Sequence, residues 1–528
     1  MSAAPSRAQR LAALPADVDL LVVGGGITGA GIALEAARRG VRVLLAEARD
    51  FAWGTSSRSS KLVHGGLRYL KQGRPGLTLE SVRERQQLLR DAPGLVEPIR
   101  FLLADYPGRK PGRLMLQLGL AIYDRFAGSR SRAWVGAAEA LRLAPGIDAA
   151  GLRGASLYQD ASTDDARLVL RVLQEAQASG ATVLNHLRVV DWQRDKNGLV
   201  EGARLEPAEG GERSVRARCV IAATGVWADE LRARLDGRPR LRPLRGSHLL
   251  LPGWRLPLAQ AVAFFHPAAG RPVFAYPWEG NTLVGTTDLD HEGLADEPAI
   301  SQTEVDYLVA ALRHQFPGLE LSAGDVISTW AGVRPVVDGG RRGAPSEEAR
   351  DHIVLEDHGL ISVTGGKLTT FRRIAQDTLA RAAPRLPSLR ASTGEAILPT
   401  RPLRAAELSP LPAALRPRFA RRLVGRYGEQ LPALLAQARP EELAPVASSD
   451  TLWAELRWAL RHEQVVHLDA LLLRRTRLGL VLRAGGAELL PDIEAMATEE
   501  LGWDGARWAF EAEQYGALIE SCYRAPRP

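Results

Sequence analysis

The apolar run Asp19-Leu20-Leu21-Val22-Val23 passes directly into Gly24-Gly25-Gly26-Ile27-Thr28-Gly29, with Gly24, Gly26 and Gly29 in the G-x-G-x-x-G spacing. The first glycine allows a tight turn and the second lets backbone approach a pyrophosphate. The third lets a following helix pack close to the strand. Glu47 follows about 20 residues on, where a carboxylate at a strand end grips a ribose hydroxyl. In this order the residues describe dinucleotide binding rather than a glycine-rich turn. Between Phe51 and Leu70, hydroxyls, basic residues and the pair Gly65-Gly66 crowd together with little apolar periodicity, which reads as a site-lining loop running into a helix start. Trp53, Leu62, Val63 and Leu67 have no use in a solvated linker. Further on, Thr364-Gly365-Gly366-Lys367 follows an apolar strand and opens a helix, so free backbone N–H groups and one ammonium face whatever anionic group lies there.

These residues need a scaffold. The first apolar run fits a strand buried on both faces of a parallel sheet. A helix is expected from Ile27 to about Arg39, closed by Gly40, and then a strand Val41 to Ala46 ending on Glu47. A polar helix is expected from Leu77 to Arg90. Asp164-Asp165 opens another helix with acids suited to its N-terminus, leading to a strand Thr182 to Leu184. Cys219 to Ala222 reads as a buried strand turning at Thr224-Gly225. Phe264-Phe265, Val273 to Tyr276 and Thr282 to Gly285 read as short antiparallel strands. Beyond about Pro399 strand patterns vanish and helices are expected, among them Leu452 to Leu460 and Val465 to Leu480. Arg113 to Tyr123 is an apolar helix with basic flanks, either a core helix or one lying in a membrane interface.

A chain of 528 residues needs more than one domain, and its 45% hydrophobic and 24% charged content is that of a globular protein. No apolar run approaches the roughly 18 to 20 residues of a membrane span. Met1 to Ala16 lacks the apolar segment of a secretory signal. Cys219 and Cys522 are the only cysteines, which excludes a disulfide framework or dithiol relay and fits a reducing compartment. The net charge of +7 suits an anionic substrate or membrane surface; no basic run interleaved with aromatics marks a nucleic-acid interface. Lysine occurs only at Lys61, Lys71, Lys110, Lys196 and Lys367, and every other basic residue of the 68 is arginine. A lysine kept against that bias marks a place where a compact ammonium matters, as Lys61 and Lys367 would inside their motifs. His462 and His467 lie five apart, diverging by about 140° on a helix, so no metal site is assigned.

The order of motifs resembles the respiratory, FAD-dependent glycerol-3-phosphate dehydrogenases. It runs through Gly24 to Gly31, Thr55-Ser56-Ser57-x-Ser59-Ser60-Lys61-Leu62-x-His64-Gly65-Gly66-Leu67-Arg68-Tyr69-Leu70 and Asp164 to Leu168. It continues through Gly246-Ser247-His248, Gly285-Thr286-Thr287-Asp288, Gly332-Val333-Arg334-Pro335 and Gly365-Gly366-Lys367-Leu368-Thr369-Thr370. Asp469-Ala470-Leu471 and Arg474-Arg475-Thr476 are similar to the family's helical tail.

The resemblance implies an α/β fold: a Rossmann-type FAD-binding domain (17–90, 151–240 and 325–390), an antiparallel-sheet substrate cap (91–150 and 241–324) and a C-terminal α-helical domain (399–528). It implies non-covalent FAD held by Gly24, Gly25, Gly26, Gly29, Glu47, Thr55, Ser56, Gly65, Gly66, Gly225, Gly365, Gly366, Lys367 and Thr369. Arg68, Arg334 and Arg350 match its phosphate-binding arginines, since guanidinium forks suit a phosphate. His64 and His248 are the two candidates for the base that takes the substrate hydroxyl proton, His64 the favoured one. Tyr69 and Asp288 would orient hydroxyls or base, and Lys367 would stabilise charge on the flavin. Partners would be glycerol 3-phosphate and membrane quinone, with the enzyme cytoplasmic, attached peripherally to the inner membrane and compatible with a homodimer; no nucleic acid is implied.

Two positions depart from the family pattern. Ala331 stands where the family carries serine, and Arg58 puts a cation into the Ser-rich loop, near the flavin entrance. The rival readings are an oxygen-using glycerol-3-phosphate oxidase, an amino-acid oxidase of the same fold and a flavoprotein with structural FAD. An NAD(P)H reductase would need a second glycine fingerprint, which is lacking.

Overall fold

The structure, a computed structural model, describes residues 5–338 apart from 72 and 109–111, then 351–399 apart from 393, and 405–526. Arg350, with the rest of 347–350, lies outside the described residues.

The strand Asp17–Val23 is buried from its second residue onward and forms the middle of an eight-stranded sheet. It pairs in parallel with Val43–Ala46 on one side and with Arg213–Ala222 on the other. Thr182–Leu184 continues the parallel set beyond Val43–Ala46, and Leu360–Gly365 beyond Arg213–Ala222. The register places Val23 opposite both Ala46 and Ala222, so Gly24, Glu47 and Ala223 leave the sheet at one edge. That edge, the carboxyl ends of parallel strands, is where such sheets bind ligands. Three antiparallel strands, Leu187–Arg194, Val200–Pro207 and His352–Asp357, complete this sheet. The helices Ile27–Arg38, Asp165–Ala178 and Phe371–Ala382 pack on it through one apolar core, which contains Ile32, Leu168, Val172, Ile374 and Leu379.

Among the described residues the second sheet has ten strands, nearly all antiparallel; only Val96–Asp105 with Ala261–Phe265 is parallel. Leu241–Pro252 pairs along its length with Ser328–Val337, and Asn281–Gly285 and Pro272–Trp278 follow on its other side. Gly154–Thr163 and Ser328–Val337 both belong here, although the sequence reading grouped 151–240 and 325–390 with the nucleotide-binding segments. Both strands are largely buried, so their burial does not set them apart from the parallel strands, and only their pairing places them in the second sheet.

The tail is helical, with Arg416–Tyr427, Trp453–His462, Leu490–Leu501 and Gly505–Leu518 as its main α-helices. Val465 to Leu480, expected as one helix, breaks into a wide-turn segment Ala470–Arg475 and a short helix Leu478–Val481. The break lets Arg474, Arg475 and Arg477 point into the nucleotide-binding unit. Arg475 Nη1 lies 2.6 Å from Asp50, and Arg477 Nε lies 2.9 Å from Asp164. Asp164 also caps its helix by accepting from Arg167 N at 3.1 Å. His462 stacks on Trp458 while His467 pairs with Glu511, so the two histidines face different partners.

The helix Arg113–Ala127 resolves its two sequence readings by face. Leu120 and Tyr123 are buried in the second core, while Leu114, Met115, Leu118 and Ile122 are 86%, 70%, 64% and 41% exposed. Among the described residues no helix is long and apolar enough to cross a membrane.

Candidate active site

A cavity of about 1460 Å³ opens where the edge of the first sheet faces the second sheet. That exceeds the roughly 300 to 1,000 Å³ of a small-ligand pocket. At one end Gly24, Gly26, Ile27 and Thr28 form the wall, with Glu47 and Arg49 beside them. Gly24 has φ +113°, and a Cβ there would meet Ala223 O at 2.5 Å, so only glycine fits this turn. A Cβ on Gly29 would meet Gly24 O at 1.9 Å, the close helix–strand approach that its spacing predicts. Glu47 accepts from Gly25 N at 2.6 Å and from Arg49 N at 2.7 Å. Burial raises its carboxyl above the usual range, against those two hydrogen bonds.

The Ser-rich loop crosses the same wall. Ser56 Oγ accepts from Ile27 N at 3.0 Å, occupying the first N–H of the glycine-loop helix, and Thr55 Oγ1 donates to Val333 O. Gly66 lines the cavity, but Gly65 does not: it packs under Val82 and Tyr123, with its N–H on Asp160 at 2.9 Å. Gly25 likewise lies behind the wall against Phe51. Further along the same sheet edge Gly225, Thr364, Gly365, Gly366, Lys367 and Thr369 line the cavity. Gly365 and Gly366 take φ +81° and +75°, where a Cβ would strike Asp351 O and Ile374. The Lys367 ammonium lies 4.3 Å from the Tyr69 ring centroid and donates to Ser81 Oγ.

The wall also carries cations: Arg68, Arg271 and Arg334 line the cavity, as do His64, Tyr69, Thr286 and Asp288. Arg334 Nη2 donates to Thr286 Oγ1 at 2.9 Å and Nη1 pairs with Asp288 Oδ1 at 3.1 Å. Arg271 Nη2 takes the other Asp288 oxygen at 2.7 Å. Both carboxylate oxygens are therefore held by guanidinium groups.

The two histidines separate. His64 is half-buried at the cavity wall, and its carbonyl accepts from Thr369 Oγ1 at 3.3 Å. His248 lies behind the wall, 1% exposed and stacked on Trp330 with centroids 5.1 Å apart. Its Nε2 meets Ser60 Oγ at 2.9 Å, and burial holds the imidazole well below its ordinary pKa. Only Ser60 of this pair reaches the cavity.

Lys61 is not a site residue. It is fully buried, away from the cavity wall, and donates to Ser57 O and Asp165 at 3.0 Å each. Arg58 contributes to the wall, but its guanidinium is taken by Glu297, Tyr523 OH and Trp53 O, so the extra cation is neutralised. Sequence reasoning missed Arg271, which stands alone before a strand, and the Trp53–Trp227 pair, 5.6 Å apart on the wall. No spacing rule connects these residues to their partners.

A family model described as FAD dependent oxidoreductase matches residues 19–372. The chain belongs to that family. A second model, the C-terminal domain of alpha-glycerophosphate oxidase, matches residues 361–508. The aerobic glycerol-3-phosphate dehydrogenase of Staphylococcus saprophyticus is 41% identical over 380 residues, which is 70% of this chain and 68% of the relative. That of Staphylococcus aureus is 39% identical over 378 residues, 70% of this chain and 68% of the relative. Among solved structures, the glycerol-3-phosphate dehydrogenase of Bacillus halodurans complexed with FAD superposes with TM-score 0.76. It is 29% identical, covering 98% of this chain and 97% of that one. The L-alpha-glycerophosphate oxidase of Mycoplasma pneumoniae shares the fold at TM-score 0.58 and 19% identity, over 74% of this chain and all of that one. FAD is thus the cofactor of this family member, and the donor set fits it: an open glycine turn, a carboxylate at the second strand end and a cavity of about 1460 Å³ with arginines in its wall.

Proposed function

We propose that this protein oxidises sn-glycerol 3-phosphate to dihydroxyacetone phosphate and delivers the electrons to membrane quinone. The observation that carries the reading is that one cavity joins two chemistries, the dinucleotide turn of Gly24 and Gly26 and the side chains of Arg68, Arg334 and His64. Bound FAD supplies the hydride acceptor. Everything else falls to the chain. Arg68 and Arg334 bind the phosphate through charge-assisted hydrogen bonds, with Arg350 as a further candidate. That grip turns the C2 end of the substrate towards the wall made by Lys367 and the Gly365-Gly366 turn. His64 takes the proton of the C2 hydroxyl at a ring nitrogen, since a neutral imidazole is a competent base near pH 7. His248, kept neutral by burial, positions the Ser60 hydroxyl at the wall. The N–H groups at the start of Leu368–Thr370, with the Lys367 ammonium, favour negative charge on the reduced cofactor ring.

The helix Arg113–Ala127 is the proposed contact with the membrane. Its exposed stripe of Leu114, Met115, Leu118 and Ile122 is flanked by exposed Arg113, Arg125 and Arg130, the pattern of a helix lying in an anionic interface. Met115, Leu118 and Ile122 also border the cavity, so a lipid-soluble acceptor has an apolar approach to it. The test uses washed membranes given glycerol 3-phosphate, with dihydroxyacetone phosphate, short-chain quinone reduction and peroxide measured together. Quinone reduction without peroxide supports the reading. One peroxide per product from a soluble fraction would replace quinone with oxygen as acceptor.

A further inference from the structure

Arg271 has no role in the account so far, yet it makes two polar contacts to Asp288 at the cavity wall. It stands immediately before the strand Pro272–Trp278, and its guanidinium grips Asp288 twice. Nη2 holds the carboxylate Oδ2 at 2.7 Å and Nη1 holds the backbone carbonyl at 3.1 Å. The other carboxylate oxygen, Oδ1, is held by Arg334 at 3.1 Å. Asp288 is 5% exposed, and all three side chains border the cavity. The loop that carries Asp288 is itself fixed from behind, because Thr287 Oγ1 donates to the buried Glu304 at 2.6 Å and Ser247 N donates to Thr287 Oγ1 at 2.9 Å.

The charges decide what this arrangement does. A carboxylate paired with Arg334 alone would cancel the guanidinium that is to meet a phosphate dianion. With a second guanidinium on the same carboxylate, the three groups sum to +1 and the negative charge is shared between two cations. Asp288 can then hold the Arg334 fork in orientation without neutralising the site. We infer that Arg271 is a positioning residue for phosphate recognition: it takes up the charge of Asp288, leaving Arg334 effective towards the phosphorylated end of the substrate. This rests on the phosphorylated substrate of the proposed function and deepens it.

The inference makes a charge prediction that a mere hairpin tether does not. Arg271→Gln reduces the sum of the triad from +1 to 0, and adding Asp288→Asn restores it to +1. In the FAD-loaded protein, Arg271→Gln should raise KM for glycerol 3-phosphate about tenfold or more, a loss of interaction with the substrate's charge. Flavin reduction at saturating substrate should change much less. Arg271→Lys should stay close to native, and Arg271→Gln/Asp288→Asn should recover most of the lost KM. Inorganic phosphate gives an independent readout: it should raise the Tm of the native holoenzyme and of the double variant, but hardly that of Arg271→Gln. Unchanged flavin absorbance and a cooperative melt without phosphate confirm that each variant is folded. An unaltered KM and phosphate response in Arg271→Gln, or no recovery in the double variant, overturns the inference. Should native holoenzyme respond to phosphate yet show no flavin reduction by glycerol 3-phosphate, the substrate reading fails while the charge-sharing role of Arg271 is still decided by the phosphate melts.

Discussion

Lys61 Nζ lies 3.0 Å from Asp165 Oδ1, and neither side chain has any exposed surface. The pair joins three parts of the chain. Asp165 also accepts from Ser59 N at 3.0 Å and Ser59 Oγ at 2.7 Å, and pairs with Arg477 from the helical tail. The Ser-rich loop is thus held in place by a carboxylate at a helix start and an arginine some 300 residues further along the chain. The lysine bias of the sequence does mark a place where a compact ammonium matters, but the reason is packing under Trp278 and Trp330 rather than chemistry on a ligand.

Breaking that pair from either side should have unequal effects. Asp165→Asn leaves the buried Lys61 ammonium without its carboxylate, while Arg477 keeps Asp164, a loss of about 3 to 5 kcal/mol. Lys61→Met leaves Asp165 with Arg477 and should cost clearly less. Burial, with Arg477 beside it, lowers the Lys61 ammonium to about 8, below the roughly 10.4 of an unfolded lysine. Between those values the unfolded chain binds more protons, so this group's contribution to stability rises with pH there. Denaturant titrations at pH 8 and pH 10 should therefore show the native protein gaining stability relative to Lys61→Met as pH rises. Equal losses in the two variants would contradict the account.

The attachment of the helical tail should be acid-labile. Burial by itself would raise the Asp50 and Asp164 carboxyls, but Arg475 and Arg474 hold the first, and Arg477 and Arg426 the second, well below the usual carboxylate range. A depressed carboxylate stabilises the fold above its unfolded value of about 3.9 and loses that contribution as pH falls towards its folded value. Tryptophan fluorescence should therefore report loss of tail packing as pH drops below about 4. Arg475→Met should move the transition to higher pH; an unmoved transition would show that Asp50 is not what holds the tail.

Glu47→Gln should weaken retention of FAD while leaving the fold intact. The carboxylate orders Gly25 N and Arg49 N, and a carboxylate at this strand end is proposed to grip the ribose hydroxyl. Gel filtration followed by the flavin-to-protein absorbance ratio measures it. A full flavin complement in the variant would remove the ribose contact from the argument.

The proposed membrane contact is tested at one surface residue. Leu114, 86% exposed, is at the head of the apolar stripe and lies off the cavity wall. Leu114→Glu should shift the protein from the membrane to the soluble fraction, because a carboxylate is unfavourable in an interface that otherwise takes an apolar side chain. Leu199→Glu, at an exposed leucine remote from that helix in sequence, is the control. Equal release by both changes would place the contact elsewhere.

The cofactor half of the site was legible because its constraints are local. Gly24, Gly26, Gly29 and Glu47 belong to one strand–helix–strand unit, where spacing alone determines position. The substrate half draws on residues from 64 to 334 brought together by two sheets, so the family resemblance located Arg334 and Asp288, and nothing located Arg271. His248 had the same motif support as His64, but only packing against Trp330 separates a wall residue from one behind it. The apolar helix was ambiguous for the same reason: periodicity shows a stripe, and only the fold shows which stripe is covered. In the tail, the wide-turn segment at Ala470–Arg475 is set by three buried ion pairs, which no helical pattern announces.

In the proposed function Arg334 binds the charged end of the substrate. Arg334→Ala removes one or two charge-assisted hydrogen bonds of about 1.5 to 3 kcal/mol each, so kcat/KM should fall roughly tenfold to hundredfold per bond. The most direct measurement is anaerobic titration of the yellow holoenzyme with glycerol 3-phosphate while the flavin absorbance is followed. The account predicts bleaching by glycerol 3-phosphate, scarcely any by glycerol, and a much weaker response in Arg334→Ala. Equal bleaching by both compounds, or none by either, would contradict it.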